Sequence, residues 1–464
     1  MNGRAADRGD ARDEALNRAL SLARGLATRG EDDAARQAYI GVLRLDATHF
    51  AALTEIGTLA IASGHRSAAR TAWRQAVHCH PGNPAGRINL GNLLLDDGDA
   101  EAARPHFEAA LAADPALAHA HQGLARVLTD LGLDAGEHWR LGFDDHAVVV
   151  RPFRGGTPPA ARLLLLVAAR GGNIPTRHWI DERRFAVTAI FADYHDMTQP
   201  LPPRDRVMNA IGDADLCASA LARAEEMLAR ETTPVINPPA AVRATGRVQI
   251  ARRLAKIPGV IAPATRLLPK TEAAGDETMR FPILLRAPGF HTGRHFVRVA
   301  HREGLADAMA SLPGDDLLAI EYLDARGPDG LARKYRVMFI GGKMYPLHLA
   351  ISADWKVHYV TSAMAANGAS RAEEQRFLND MPGVLGERAM TALRAIGETL
   401  DLDYAGVDFA LAQDGSLLVF EANPTMVIAD PGPSPLWDYR RQAIGRALAA
   451  ARGLLKPGFG EAAL

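Results

Sequence analysis

The first third of the chain carries a pattern of apolar, small and polar positions that repeats every 34 residues. Within each unit the apolar positions have the spacing of two amphipathic helices with a glycine between them. Because glycine adopts a left-handed backbone at low cost, it ends the first helix, and small residues then let the second helix approach closely. The recurring positions are Gly30, Gly64, Gly98 and Gly132; Ala34, Ala68, Ala102 and Gly136; and Tyr39, Trp73, Phe107 and Leu141. The pattern predicts an all-α solenoid over residues 1–144.

Beyond residue 160 the pattern changes to short, uninterrupted apolar runs, which are typical of strands buried on both faces of a sheet. A helix predicted over 214–230 separates the last two runs. The runs are 162–167, 185–191, 206–211 and 234–237. This alternation predicts an α/β domain over 161–245, preceded by a linker over 145–160 that contains the turn-forming segment Gly-Gly-Thr-Pro-Pro.

The C-terminal half contains four stretches in which an apolar strand leads into a glycine or a charged residue. The stretches are 281–297, 317–324, 335–345 and 406–424. In the first, Arg286 ends a strand and precedes a glycine-containing loop, which could offer backbone N–H groups and a positive charge to phosphate. In the third, Arg336 lies within an apolar strand, so it needs an anionic partner or a path to solvent.

The fourth stretch predicts a β-hairpin that carries oxygen ligands. Asp408 lies near the start of one strand, and Glu421 and Asn423 lie at the end of the other. Because Glu421 and Asn423 are two residues apart, they project from the same face of their strand. Two carboxylates and an amide oxygen are hard ligands, which suit a magnesium ion held between protein and phosphate.

Composition excludes several classes of function. With 53 basic and 54 acidic residues the net charge is −1, so there is no basic excess for coating a nucleic acid, and we expect none as a partner. Cys79 and Cys217 are the two cysteines, too few for a disulfide framework or a multi-cysteine zinc site. The first fifteen residues lack the apolar core of a signal peptide, and the apolar run 163–169 is too short for a bilayer, so we expect a cytoplasmic protein without membrane contact.

The 34-residue period, with its glycine, alanine, aromatic and Asp-Pro positions, resembles the tetratricopeptide repeat over about residues 14–141. The resemblance implies a concave face that holds a peptide or protein partner. The alternative is that the solenoid is a platform for intramolecular packing or for a homodimer.

The four C-terminal stretches, in this order, resemble the ATP-grasp superfamily over about residues 160–450, and most of all its glutathione synthetase and RimK-like branch. The resemblance implies a multidomain chain in which the all-α solenoid is followed by an α/β pre-grasp domain and an α+β ATP-grasp fold. The grasp fold would occupy 246–456 as two subdomains, with ATP and Mg²⁺ as cofactors.

The resemblance also assigns roles to individual residues. Arg247 and Arg286 stand where the family has phosphate-binding lysines, and Gly293 lies in the phosphate loop. The other assignments are Glu321 and Leu323 to the adenine hinge, Asp324 to the ribose hydroxyls, and Asp408, Glu421 and Asn423 to magnesium. Arginine keeps the positive charge of lysine but is longer and planar.

The candidate catalytic residues are Arg336, which in relatives reaches the transferring phosphoryl group, and Lys356 and His358, which match a stretch near the acceptor substrate. His348 is a further candidate for that acceptor site. The implied reaction is a carboxylate–amine ligation through an acyl phosphate, on a small-molecule or peptide carboxylate. Two alternatives remain: a nucleotide-binding scaffold without turnover, favoured by the two arginine replacements, and a small-molecule kinase built on the same fold.

Overall fold

The computed structural model describes residues 3–290, 293–357, 362, 364–432 and 434–456, with side chains from residue 12 onward. The chain divides into two compact units, residues 1–147 and 148–464. Among the described residues, none of the helices combines the length and the apolar character that crossing a lipid bilayer requires.

The N-terminal unit is built from α-helices that pair along the chain. They are α1 (Gly3–Arg29), α2 (Asp32–Leu45), α3 (Phe50–Ala62), α4 (Arg66–Cys79), α5 (Pro84–Asp96), α6 (Ala100–Ala113), α7 (Ala118–Asp130) and α8 (Gly136–Phe143). The four glycines that recur every 34 residues all lie between helices, with φ angles of 75°, 80°, 84° and 70°. The predicted left-handed turn at each glycine is therefore confirmed.

Aromatic side chains pack against glycines of the neighbouring helix. Phe107 of α6 is fully buried, and a Cβ atom placed on Gly123 of α7 would lie 2.0 Å from its ring. Trp73 of α4 lies in the same way against Gly57 of α3, where a Cβ would be 2.3 Å from the indole. The absent side chain is therefore what allows these helices to approach.

The buried small residues and, in the last unit, the buried bulky residues differ from the positions predicted by the 34-residue pattern. Near the start of α2, α4 and α6, the alanine with no exposed surface is Ala35, Ala69 or Ala103, one residue after the predicted position. In the last unit Trp139 and Phe143 are buried instead of Leu141. Helix α8 also has 8 residues where α6 has 14, and its first buried aromatic residue, Trp139, lies closer to the preceding glycine than Phe107 does in α6.

This packing yields a stability prediction for two helical glycines. Gly123→Ala should lower the free energy of unfolding of the N-terminal unit by about 1–3 kcal/mol, because the methyl group collides with Phe107. Gly41→Ala is the matched control, since nothing lies within 4 Å of its Cβ position, and it should stabilise α2 by about 0.5–1 kcal/mol. Urea unfolding followed by circular dichroism measures both, and equal effects would contradict the packing described.

The C-terminal unit begins with a largely parallel sheet of strand order β1-β3-β2-β4-β5. Its strands are β1 (Val148–Arg151), β2 (Ala161–Val167), β3 (Phe185–Phe191), β4 (Arg206–Asn209) and β5 (Val235–Ile236). Helix α9 (Ala218–Met227) is shorter than predicted. Strand β1 lies within the segment 145–160 and pairs antiparallel with β3 as an edge strand.

Two further sheets follow. The second, of order β7-β10-β8-β9, is antiparallel, and in the third, of order β12-β11-β13-β14-β6, only β6 runs parallel to its neighbour. The strands are β6 (Val260–Ile261), β7 (Thr265–Pro269), β8 (Ile283–Arg286), β9 (Phe296–Val299), β10 (Asp316–Glu321), β11 (Ala332–Ile340), β12 (Lys343–Ser352), β13 (Tyr404–Leu411) and β14 (Leu417–Asn423). The helices are α10 (Pro239–Arg243), α11 (Arg247–Leu254), α12 (Lys270–Gly275), α13 (Leu305–Ala310), α14 (Gly368–Asn379), α15 (Met381–Leu400) and α16 (Asp438–Leu454).

A buried asparagine joins the first sheet to the third. Asn237, just after β5, donates from Nδ2 to Tyr404 O at 2.8 Å and accepts from Tyr404 N at 2.9 Å. Its own backbone N–H donates to Asp403. These bonds satisfy the backbone at the start of β13, the strand that carries Asp408.

Candidate functional site

A cleft of about 670 Å³ lies in the C-terminal unit, between residues of the second and third sheets. Of the predicted site residues, those on its wall are Arg247, Arg286, Gly293, Glu321, Leu323, Arg336, Lys356, Asp408, Glu421 and Asn423. These residues come from segments up to 176 positions apart in the sequence (247 to 423). The structure therefore gathers most of the predicted site in one place.

The centre of the cleft holds two carboxylates on adjacent strands. Asp408 of β13 and Glu421 of β14 are directly opposite in the antiparallel register, next to a β-bulge. Arg336 of β11 binds Asp408 through two hydrogen bonds, from Nε at 2.6 Å and from Nη2 at 2.8 Å. Arg247 at the start of α11 forms an ion pair with Glu421 at 3.1 Å. Each carboxylate thus faces an arginine.

Both carboxylates are held in the ionised form. Burial would raise the pKa of Asp408, but the positive charges of Arg336 and Lys334 outweigh it and hold that pKa far below its usual range. Burial would likewise raise the pKa of Glu421, but the positive charges of Arg247 and Arg286 outweigh it, so that pKa is lowered. Two adjacent negative charges at neutral pH are what a divalent cation requires.

Arg286 is a buried cation with an incomplete set of partners. Its Nη2 donates to the carbonyl of Phe290, its guanidinium lies 5.7 Å from the centre of the Phe296 ring, and its Nε has no hydrogen-bond partner among the described residues. Burial, followed by the nearby charge of Arg247, lowers its pKa to about 10. It therefore remains charged at neutral pH, and an anion in the cleft would stabilise it.

The carboxylates of the cleft fit a magnesium ion that phosphate would also bind, but the third predicted ligand already accepts hydrogen bonds from the protein. Asp408 and Glu421 supply the anionic oxygens, but Oδ1 of Asn423 already accepts from Thr425 N at 2.9 Å and from its hydroxyl at 2.8 Å. Among the described residues, no cluster of three or more His, Cys, Asp and Glu side chains could hold a metal by itself. A cation here would accordingly rely on two carboxylates and on oxygens of its ligand.

One end of the cleft is apolar. Leu284, Ile320, Leu323 and Phe420 line it together with the backbone that follows β10. Glu321 also lines the cleft, and its Oε2 accepts a hydrogen bond from Ala264 N at 3.0 Å. Flat apolar walls beside an extended strand end suit a planar base.

Among the other predicted residues, Asp324 lies off the cleft wall, and Lys356 lies on the wall in contact with a neighbouring loop. Asp324 is not on the cleft wall, because Arg326 holds its carboxylate with hydrogen bonds of 2.5 and 2.9 Å. His358 falls outside the described residues. Lys356 lines the cleft, but its Nζ donates to the backbone carbonyl of Gly293 at 2.6 Å. It thereby connects the loop after β12 to the loop between β8 and β9.

Sequence reasoning missed Lys334 and Arg440. Lys334 lies 3.2 Å from Asp408 and two positions before Arg336 on β11, so strand periodicity could have placed both cations on one face. Arg440, in the first turn of α16, lines the cleft with 7% of its surface exposed. No local pattern in the sequence marks it.

His348, the further acceptor-site candidate, lies opposite Arg336 in the β11–β12 register. It is buried on the cleft wall. Burial, followed by the charge of Arg336, lowers its pKa well below the usual value. At neutral pH the ring is uncharged, so it adds no positive charge to the wall.

The family model described as tetratricopeptide repeat matches residues 54–118. No curated protein matches the chain.

Solved structures similar to part of the chain include three repeat proteins. The MamA protein is 18% identical, with a TM-score of 0.26, over 30% of this chain and 75% of its own. YrrB, described as a TPR protein with an unusual peptide-binding site, is 17% identical, with a TM-score of 0.26, over 29% and 74%. The first TPR of Spaghetti (RPAP3), solved with the HSP90 peptide SRMEEVD, is 15% identical, with a TM-score of 0.24, over 25% and 93%.

The family match coincides with the part of the chain in which glycines end the first helix of each pair at 34-residue intervals. The N-terminal region therefore forms a helical solenoid that resembles tetratricopeptide repeats and contains a match to that family over residues 54–118, and a mixed α/β region follows it.

Proposed function

We propose that the protein is an ATP- and magnesium-dependent carboxylate–amine ligase that works through an acyl phosphate, and that its repeats recruit a peptide or protein substrate. The observation that carries this proposal is the ionised pair Asp408 and Glu421 beside the cations Arg247 and Arg286 in one cleft. Carboxylates for a metal next to arginines for phosphate are the groups that a metal–polyphosphate ligand needs.

The residues of the cleft would act by position and charge. Arg247 and Arg286 would hold phosphate oxygens, and the apolar end would hold the base. Mg²⁺, when bound by Asp408 and Glu421, would supply further neutralisation of phosphate charge. Arg336, once released in part from Asp408, could face the oxygens of a transferring phosphoryl group. The chain then has to orient a carboxylate and an amine rather than supply a nucleophile of its own.

The experiment that tests this function is a turnover assay on the whole chain with ATP, Mg²⁺ and pools of amino acids and peptides. A ligase releases ADP and phosphate in equal amounts, in step with a new amide. A phosphorylated product without free phosphate would replace the ligase with a kinase. Nucleotide binding with no turnover for any acceptor would leave a nucleotide-binding scaffold.

Peptide recruitment by the repeats predicts an effect of truncation. A chain of residues 148–464 retains the cleft, because every residue on its wall lies in that unit. It should bind ATP with unchanged affinity, while kcat/KM for a peptide substrate falls by about tenfold or more. Calorimetry and steady-state kinetics measure the two quantities. Unchanged kinetics would contradict recruitment by the repeats.

A further inference from the structure

The cleft wall carries two cations, Lys334 and Arg440, to which the proposed nucleotide site gives no role. Lys334 and Arg336 project from one face of β11, and Arg440 of α16 joins them on the wall. Leu347, Met426 and Val427 contribute apolar side chains to the same cleft wall. This end of the cleft thus combines positive charge with an apolar surface.

Arg440 is held in place by a buried carboxylate. Its Nε lies 3.3 Å from Oε1 of Glu374, a residue of α14 with no exposed surface. Glu374 also accepts from the Tyr439 hydroxyl at 2.5 Å and from Leu349 N at 3.3 Å. An arginine that pairs with a carboxylate fixed in this way loses less side-chain entropy on binding a ligand than an unpaired one.

The strand register places Arg440 near Lys334. Lys334 pairs with Ala350 of β12, and Arg336 with His348. Glu374, which holds Arg440, binds the backbone of Leu349 between them. Because β12 is the edge strand of the third sheet, its backbone is open to this contact from α14. Lys334 and Arg440 therefore belong to the same end of the cleft.

Charge points to an anionic ligand at that end. Asp408 is the shared partner of Arg336 and Lys334, at 2.6 and 3.2 Å. When Asp408 binds a metal, as the proposed function requires, Arg336 and Lys334 lose part of the negative charge that balances them. A carboxylate brought in by the substrate restores it.

We propose that Lys334 and Arg440 bind a second, non-reacting carboxylate of the acid substrate, so that the acid is a dicarboxylate or an acidic amino acid rather than a simple monoacid. This inference rests on the proposed function, because it places the reacting carboxylate beside the metal pair. Arg336, nearest to Asp408, serves the reacting end. Lys334 and Arg440 select the acid by its far end.

The test compares glutarate with valerate, a monoacid of equal chain length, by calorimetry on the whole chain in the presence of Mg²⁺ and a non-hydrolysable ATP analogue. Glutarate should bind about tenfold more tightly or better, and added salt should weaken it. The variant Arg440→Met combined with Glu374→Gln removes the cation without leaving a buried charge, and should abolish the preference. Lys334→Met should reduce the preference too.

Arg446→Met is the matched control, since Arg446 lies on α16 and bonds to Leu378 O away from the cleft wall. It should leave the preference for glutarate intact, and thermal unfolding shows that each variant is folded. Equal binding of glutarate and valerate by a chain that binds the nucleotide would overturn the inference and leave the proposed function standing. A preference for glutarate without nucleotide binding would support the anion site and overturn the proposed function instead.

Discussion

Replacing Glu421 with glutamine should remove the magnesium dependence of ATP binding. Glu421 is one of the two carboxylates that would bind the metal, and its loss also frees Arg247 from its ion pair. Magnesium-assisted affinity should fall by about a hundredfold, while the weak affinity for metal-free ATP stays the same or rises, because Arg247 is then available to phosphate. Calorimetry with and without Mg²⁺ measures the magnesium-assisted affinity and the metal-free affinity separately.

Asp414→Asn provides a control on the same hairpin. Asp414 lies in the turn between β13 and β14, exposed and paired with Arg388, and is absent from the cleft wall. Its replacement should leave magnesium-dependent binding unchanged. Full magnesium-dependent affinity in Glu421→Gln would show that the metal assignment is wrong.

Asp408→Asn should be among the most destabilising substitutions in the C-terminal unit. Asp408 is 2% exposed and compensates both Arg336 and Lys334, so its neutralisation leaves two cations without their carboxylate. Breaking a buried ion pair on one side costs about 3–5 kcal/mol. Urea unfolding at neutral pH should show a loss of that size.

The double variant Asp408→Asn with Arg336→Met identifies the cause. If the uncompensated charge is responsible, removing Arg336 should restore about half of the loss or more. If the double variant is as unstable as the single one, packing rather than charge holds this part of the sheet.

The pH dependence of the Asp408 contribution follows from the direction of its pKa. Because the pKa of Asp408 is lower in the folded chain than in the unfolded one, its stabilisation is complete above the unfolded value of about 3.9. It is lost as the pH falls toward the folded value. The unfolding curves of the wild-type chain and Asp408→Asn should therefore converge in acid.

The structure offers a physical reason for arginine at Arg286, where the resemblance to the ATP-grasp superfamily leads us to expect lysine. Burial and the charge of Arg247 lower the pKa of Arg286 from 12.5 to about 10, so the guanidinium stays fully charged. A lysine has an ordinary pKa of about 10.4, so burial at this position would bring it closer to losing its charge at neutral pH than it brings an arginine. Arginine is thus compatible with phosphate binding at this buried position.

Local patterns predicted the parts of the molecule that depend on local structure. The glycines of the repeats were predictable because a left-handed turn is decided within a few residues. The buried alanines were misplaced by one position, since burial depends on how neighbouring helices pack. Asp408 and Glu421 were predictable as opposite partners, because a hairpin fixes its own register.

Contacts between distant segments explain what the sequence did not reveal. Arg440 and Glu374 are 66 positions apart and meet only when α16 packs beside α14.

A local contact was also not predicted. Asp324 was assigned to the ribose, yet Arg326, two residues away, binds its carboxylate. The periodicity of the sequence does not indicate whether a charged side chain such as Asp324 binds a neighbouring residue or faces a ligand.

The most direct measurement of the central claim is photolabelling of the whole chain with azido-ATP in the presence of Mg²⁺, followed by peptide mapping. The cleft predicts labelling within residues 283–323 or 417–431, which contribute the apolar end and Glu421 to its wall, and ATP in excess should prevent it. Glu421→Gln should reduce that labelling. Labelling confined to the repeats, or none that ATP prevents, would contradict a magnesium–nucleotide site in this cleft.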